Sequence, residues 1–298
     1  MLADEIDLFI SALMLERGMA DNTCAAYAND LRFFAAYLKT AGKTAAAQIT
    51  REDIAGFLRG ERDAGKVGTT RARRTAAIRM WLKCLCERHL IAENPAELMD
   101  PPKRARALPR VLGEPEVFAM LDAVKGDDPR SLRDRALLET MYGCGLRVSE
   151  ACELTLGDII GEGELLRIFG KGSKERVVPL GRAAGEAITR YLETGRGALA
   201  RGNQTVQALF LTRLGRPFTR QGVFKVIRER AAAVGIAADR ISPHVLRHCY
   251  ASHMLAHGAD IRIIQELLGH ADVGTTQIYT HVDQRRFGDI HRKCHPRA

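Results

Sequence analysis

Residues 165–180 read LLRIFGKGSKERVVPL. Two short β-type runs, Leu165 to Phe169 and Arg176 to Leu180, flank a turn of glycine and lysine. That pattern predicts an antiparallel hairpin carrying Lys171 at its tip. Outward from it the chain reads as helix in both directions. Upstream, apolar residues recur at helical spacing over about 114–125 and 131–144. Downstream they do so over about 182–194, 219–234 and 243–257. A further helix over about 260–268 is expected to stop at Gly269, and a last one starts near 283. The expected class is therefore mainly α, with one small antiparallel β-sheet.

The first hundred residues predict helices only. Ile6, Phe9, Ile10, Leu13 and Met14 mark one over 4–17; Tyr27, Leu31, Phe34 and Leu38 mark another over 22–41. Thr50 followed by Asp53 has the spacing of a capped helix start, running to about Asp63. After the Gly65–Gly68 break a fourth helix covers about 69–90, its apolar face formed by Ala77, Ile78, Trp81, Leu82 and Leu85. The stretch NPAELMDPPKRARALPR (94–110) is rich in proline and arginine and reads as a linker. The expected organisation is an N-terminal four-helix bundle over 1–106 and a second, mostly helical domain over 107–298.

Length and composition narrow the function classes. The 298 residues bury a core without staples, and no run approaches the ~20 apolar residues of a membrane span. The start, MLADEIDLFI, lacks the basic and apolar regions of a secretory signal, so a cytoplasmic protein is expected. Seven cysteines at irregular spacing, with no C-x-x-C, argue against a disulfide framework and a zinc ribbon. The net charge is +9. It concentrates between Arg62 and Lys83, where Arg62, Lys66, Arg71, Arg73, Arg74, Arg79 and Lys83 face a single acid, Asp63. With Arg71, Arg74 and Lys83 directed away from the core, that stripe suits a phosphate backbone; a solvated helix face accounts for it equally well. Lys103, Arg104 and Arg106 of the linker are further candidates for DNA contact.

The chemistry-bearing residues are scattered. In SPHVLRH (242–248) Pro243 suits a helix start, and His244 and Arg247 then share a face as i, i+3. His244 and His248 also have zinc-pair spacing, but Val245 stands where a zincin needs glutamate. GCGLRVSE (143–150) offers Arg147 and Glu150, the hairpin offers Lys171, LLGH offers His270, and TTQIYTHV offers Tyr279. Each is a weak signal singly. As an ordered set they meet the needs of phosphodiester cleavage: a nucleophile, fixed cations for the non-bridging oxygens and an acid for the departing oxygen.

The order Arg, Lys, His-x-x-Arg, His, Tyr, with the motifs GLRVSE, GKGSKERVVPL, ISPHVLRH, LLGH and TTQIYTHV, resembles the tyrosine recombinases, or phage-integrase family. The resemblance spans essentially the whole chain and is closest to the chromosome-resolving branch. It implies a two-domain clamp on double-stranded DNA in which Tyr279 attacks phosphorus to give a 3′-phosphotyrosyl enzyme. Arg147 and Arg247 would hold the non-bridging oxygens, with His270 adding a hydrogen bond. Lys171 would act as general acid. His244 would take the tyrosine proton or help hold the phosphate, and Glu150 would orient Arg147. Neither metal, ATP nor another cofactor is implied. Implied partners are a dif-like DNA site, a XerC-like recombinase in a heterotetramer and an FtsK-type translocase; the last helix would dock in a neighbouring protomer.

Two other readings stay open. A phage, transposon or integron integrase, or a type IB topoisomerase, would share the chemistry; a mobile-element integrase often has an arm-binding segment for which there is no obvious room before Ala3. A DNA-binding protein on this fold without catalysis would need no Tyr279.

Overall fold

The apolar periodicity of the first hundred residues becomes four α-helices among the described residues: α1 (Leu2–Leu15), α2 (Asp21–Thr40), α3 (Arg51–Asp63) and α4 (Gly68–Glu87). The computed structural model describes residues 2–15, 19, 21–97, 99, 111–170, 175–203, 205–269 and 281–298. Two compact units result, Met1–Ala107 and Leu108–Ala298. In the first, Trp81 of α4 lies fully buried among Leu31, Phe34 and Leu38 of α2, Ile6 and Leu13 of α1, and Ile54 of α3. The start of α3 is fixed as its sequence requires. Thr50 accepts a hydrogen bond from the Asp53 amide at 3.3 Å, and Asp53 accepts one from the Thr50 amide at 2.7 Å.

One expectation for α4 is corrected. Arg74 does not point away from the core: it is 5% exposed, donates from Nε to Asp30 at 3.2 Å, and pairs with Glu61. The reason is its phase. Arg74, Ile78, Trp81 and Leu85 stand at i, i+4, i+7 and i+11 and form one stripe, so the arginine closes the end of the apolar face. Its guanidinium also lies 4.5 Å from the Phe33 ring centre.

The second unit is organised around α6 (Pro129–Gly143), which follows α5 (Glu114–Asp122) and is buried on nearly every side. A helix covered all round sits inside a domain rather than on its surface. After α7 (Val148–Glu153) comes a three-stranded antiparallel sheet, β1 (Ile159–Ile160), β2 (Leu165–Phe169) and β3 (Glu175–Pro179), in that spatial order. Register pairs Leu166 with Val178 and Ile168 with Arg176. The expected hairpin is present, and the two-residue β1 adds an edge that is too short to read from sequence.

α8 (Arg182–Arg190) runs on through a π-turn at Tyr191–Arg196 into α9 (Gly197–Ala200), further than its periodicity suggests. There Arg196 donates to the carbonyls of Val206 and Ala208, which ties the loop after α9 to the helix. The remaining elements are α10 (Arg220–Ala232), α11 (Pro243–Ala256), α12 (Ile261–Leu268) and α13 (His281–Cys294). In the single chain α13 packs on β3 and α11 of its own unit. Phe287, His291 and Cys294 are buried there, and His291 Nε2 bonds the Gly143 carbonyl at 2.9 Å. Burying those three side chains is a favourable way for an isolated chain to cover this face.

Candidate active site

Three arginines and one glutamate meet where α7, α11, β3 and the end of α12 converge. Arg147 is the N-cap of α7, and Glu150 reaches back to it as the third helical residue. Glu150 Oε2 accepts from the Arg147 amide at 2.7 Å and Oε1 from Arg147 Nη1 at 2.8 Å. Arg247 rises from α11, whose start is set by Pro243 and by Ser242, which accepts from the Val245 amide at 3.2 Å. Arg247 Nη1 donates to the Gly145 carbonyl at 2.7 Å, and Nη2 donates to the Leu268 carbonyl.

Gly145 is required at that point. Its φ is +58°, and a Cβ there would lie 2.7 Å from the Tyr250 ring and 2.8 Å from Leu268. The C-terminal carbonyls of α12, the negative end of its dipole, attract the guanidiniums. Arg147 lies 3.4 Å from both the Leu268 and Gly269 oxygens. Gly269 itself ends α12 in the left-handed conformation, as its sequence position suggests.

The electrostatics favour an anion. Glu150 is buried; burial alone would raise its pKa, but the bonds and charge of Arg176, then the Arg147 groups, hold it at about 2. One carboxylate thus faces Arg147, Arg176 and Arg247. Burial, and next the like charge of Arg147, bring Arg247 down to about 10, still protonated at neutral pH. The Arg147 side chain is 38% exposed and that of Arg247 9%, so one cation is open and the other is nearly enclosed. Preorganised, partly dehydrated guanidiniums are suited to phosphate oxygens.

Arg147, Glu150 and Arg247 are therefore brought together. His244 is exposed in the first turn of α11 and, among the described residues, has no hydrogen-bond partner. Lys171, His270 and Tyr279 lie outside the described residues, as do Lys103, Arg104 and Arg106. Of the α4 stripe, Arg73 pairs with Asp30 at 3.2 Å, Arg79 donates to the Met99 carbonyl at 3.2 Å, and Lys83 is exposed beside Glu87 at 3.8 Å. Arg71 is half-buried with its Nε unbonded.

Arg176 is the residue that sequence reasoning missed. Its Nη1 and Nη2 each donate to Glu150 at 2.8 Å, and its Nε donates to the Leu267 carbonyl at 3.0 Å. The available signal was parity. In a strand Arg176 shares a face with Val178, and its cross-strand partner Ile168 is buried. An arginine in an inward position needs a partner, and Glu150 is that partner.

Known proteins supply the context for this cluster. The phage integrase family matches residues 110–286, and the phage integrase N-terminal SAM-like domain matches residues 6–89. The chain is 44% identical to "Tyrosine recombinase XerD" of Pseudomonas aeruginosa, covering 98% of this chain and 97% of that one. It is 40% identical to the protein of the same name from Oceanobacillus iheyensis, over 100% of both. Among solved structures, the XerH site-specific recombinase bound to palindromic difH substrate, in a post-cleavage complex, shares the fold at a TM-score of 0.70. It is 22% identical and covers 89% of this chain and 78% of that one. A lambda integrase dimer bound to a COC′ core site gives 0.69 at 18% identity, covering 100% of this chain and 78% of that one. The chain belongs to the phage integrase family and is a tyrosine recombinase, an enzyme that cuts and rejoins DNA strands.

Proposed function

We propose that the chain recombines DNA at a dif-like site, with Tyr279 as nucleophile and Arg147 and Arg247 holding the scissile phosphate. The observation that carries this is the guanidinium pair on one buried carboxylate, with one cation open and the other fixed by two backbone carbonyls. Attack by Tyr279 forms the bond from its oxygen to phosphorus as the bond to the 5′-oxygen breaks. His244, free of other hydrogen bonds among the described residues, takes the tyrosine proton or helps hold the phosphate. Lys171 protonates the 5′-oxygen, and His270 donates to a non-bridging oxygen. The phosphotyrosyl bond conserves the phosphodiester energy, so the rejoining step needs no external energy source.

Full-length kinship with proteins named XerD, and the difH substrate of the fold relative, support a dif-like site for this chain. On the same ground residues 1–106 form a DNA-binding bundle and 107–298 the catalytic domain. Two copies act with two of a XerC-like recombinase, and an FtsK-type translocase activates the complex in the cytoplasm. No described helix is long and apolar enough to cross a membrane.

The test is a plasmid with two directly repeated dif-like sites, incubated with the protein and a XerC-like partner. Deletion of the intervening segment supports the proposal. Relaxation of supercoils without deletion, on plasmids with and without sites alike, favours the topoisomerase reading.

A further inference from the structure

Arg176 is a buried cation to which the chemistry above gives no task. Its place follows from its strand. On β3 it pairs across to Ile168, faces inward, and meets the carboxylate of Glu150 with both terminal nitrogens. Glu150 Oε1 accepts from Arg176 Nη1 and Arg147 Nη1; Oε2 accepts from Arg176 Nη2 and the Arg147 amide. A carboxylate has about four lone-pair sites, so these bonds fill it. Arg247 Nη1 stands 3.7 Å from Oε2, beyond hydrogen-bond range, and bonds the Gly145 carbonyl instead.

That saturation has a consequence for Arg247. Were the two Arg176 bonds absent, half of the carboxylate's acceptor capacity would open, part of it on the Oε2 that stands 3.7 Å from Arg247. In a buried setting an under-satisfied carboxylate is costly, and the nearest remaining cation would close the gap. Arg247 Nη1, now at ion-pair distance only, would then hydrogen-bond Glu150 in place of the Gly145 carbonyl and be less available to an anion. Arg176 also donates to Leu267, on the same carbonyl terminus that holds Arg147 and Arg247, so it ties β3 to the end of α12.

We infer that Arg176 is a positioning residue for strand cleavage: by occupying Glu150 it keeps Arg247 out of hydrogen-bonding range of that carboxylate and directed to the scissile phosphate. The inference rests on the reading that Arg147 and Arg247 hold that phosphate. Arg176 itself touches neither DNA nor the reacting atoms in this account.

The experiment uses the full-length protein on a nicked suicide duplex bearing a dif-like site, comparing wild type, Arg176→Met, Arg176→Lys and the double variant Glu150→Gln/Arg176→Met. Non-covalent affinity, the single-turnover rate of covalent adduct formation and the melting temperature are read for each. Arg176→Met is expected to bind within about threefold of wild type and to form adduct about a hundredfold more slowly. Arg176→Lys, which still donates to the carboxylate, regains about tenfold of that loss. The double variant, in which a neutral amide no longer attracts Arg247, is no slower than Arg176→Met alone, a non-additivity that simple loss of packing does not produce. Adduct formation by Arg176→Met at the wild-type rate overturns the inference. So does a loss of binding in proportion to the loss of cleavage with no recovery in Arg176→Lys. A wild-type protein that binds and forms no adduct, even with its partner, contradicts the reading of Arg147 and Arg247 instead.

Discussion

Glu150 holds Arg147 twice, through the backbone amide at 2.7 Å and through Nη1 at 2.8 Å, so one carboxylate caps the helix and aims the arginine at its start. Removing it leaves three guanidiniums without their shared counter-charge. Glu150→Ala is expected to destabilise the second unit by about 3–5 kcal/mol, the usual cost of breaking a buried charge cluster. Glu150→Gln, which keeps the shape, should cost less stability and still slow cleavage. Denaturant unfolding checks the first claim, and an unchanged midpoint in Glu150→Ala would refute it.

The same carboxylate sets an acid limit. Its folded pKa of about 2 lies below the unfolded value, near 4.3. Its contribution to stability is therefore complete above about pH 4.3 and is lost as pH falls toward 2. A shift of that size corresponds to about 3 kcal/mol. Unfolding curves of wild type and Glu150→Gln across this range should converge as pH falls; a constant gap would show that the ionised form is not what stabilises.

α13 should loosen in mild acid. His291 stacks on His295 with ring centres 4.7 Å apart, and both are buried. Burial, chiefly, lowers both pKa values, helped for His295 by His291, His253 and Arg297 and for His291 by Arg292. The surrounding Tyr142, Tyr250 and Cys144 are held neutral, mainly by burial. Below the unfolded value near 6.5 an opened segment takes up protons that the docked one refuses, so docking weakens as pH falls. Amide exchange in α13 at about pH 5.5 and about pH 7.5, corrected for intrinsic rates, should show a lower opening free energy in acid. Equal values would contradict this.

In α4 the stripe should divide by burial. Arg74→Ala strands the buried Asp30 with only half-exposed Arg73 as its cation, and should cost the N-terminal unit about 3 kcal/mol. Lys83→Ala should leave melting unchanged and, if Lys83 meets a phosphate, lower the log–log salt slope of DNA binding by about 0.9. A large melting shift in Lys83→Ala, or none in Arg74→Ala, would reverse the assignment.

Gly145→Ala combines a positive φ with a clash against Tyr250 and moves the carbonyl that holds Arg247. The expected loss is about 2–5 kcal/mol, from left-handed strain plus overpacking. A variant that melts like wild type would show that the ring moves aside freely.

Local rules made much of this legible. Thr50 and Asp53 gave a helix start, Pro243 and Ser242 another, and Gly269 a stop, because each acts through its own few neighbours. The two β-type runs flanking the lysine turn gave the hairpin. The short α7 and β1 escaped because six and two residues carry too little periodicity. Arg74 and Arg176 were misjudged or missed for a different reason. Charge suggested surface, yet each sits in phase with an apolar stripe, and the acids that make burial tolerable, Asp30 and Glu150, come from elsewhere in the chain. Pairing of that kind is tertiary and leaves only its phase in the sequence.

Tyr279 is expected to become covalently bonded to DNA. The most direct test incubates purified wild-type protein and Tyr279→Phe with a nicked suicide duplex bearing a dif-like site, in EDTA, and resolves the products on a denaturing gel. The expected result is a covalent protein–DNA adduct with wild type and none with the variant, at equal non-covalent binding. An adduct that persists in Tyr279→Phe would contradict the account.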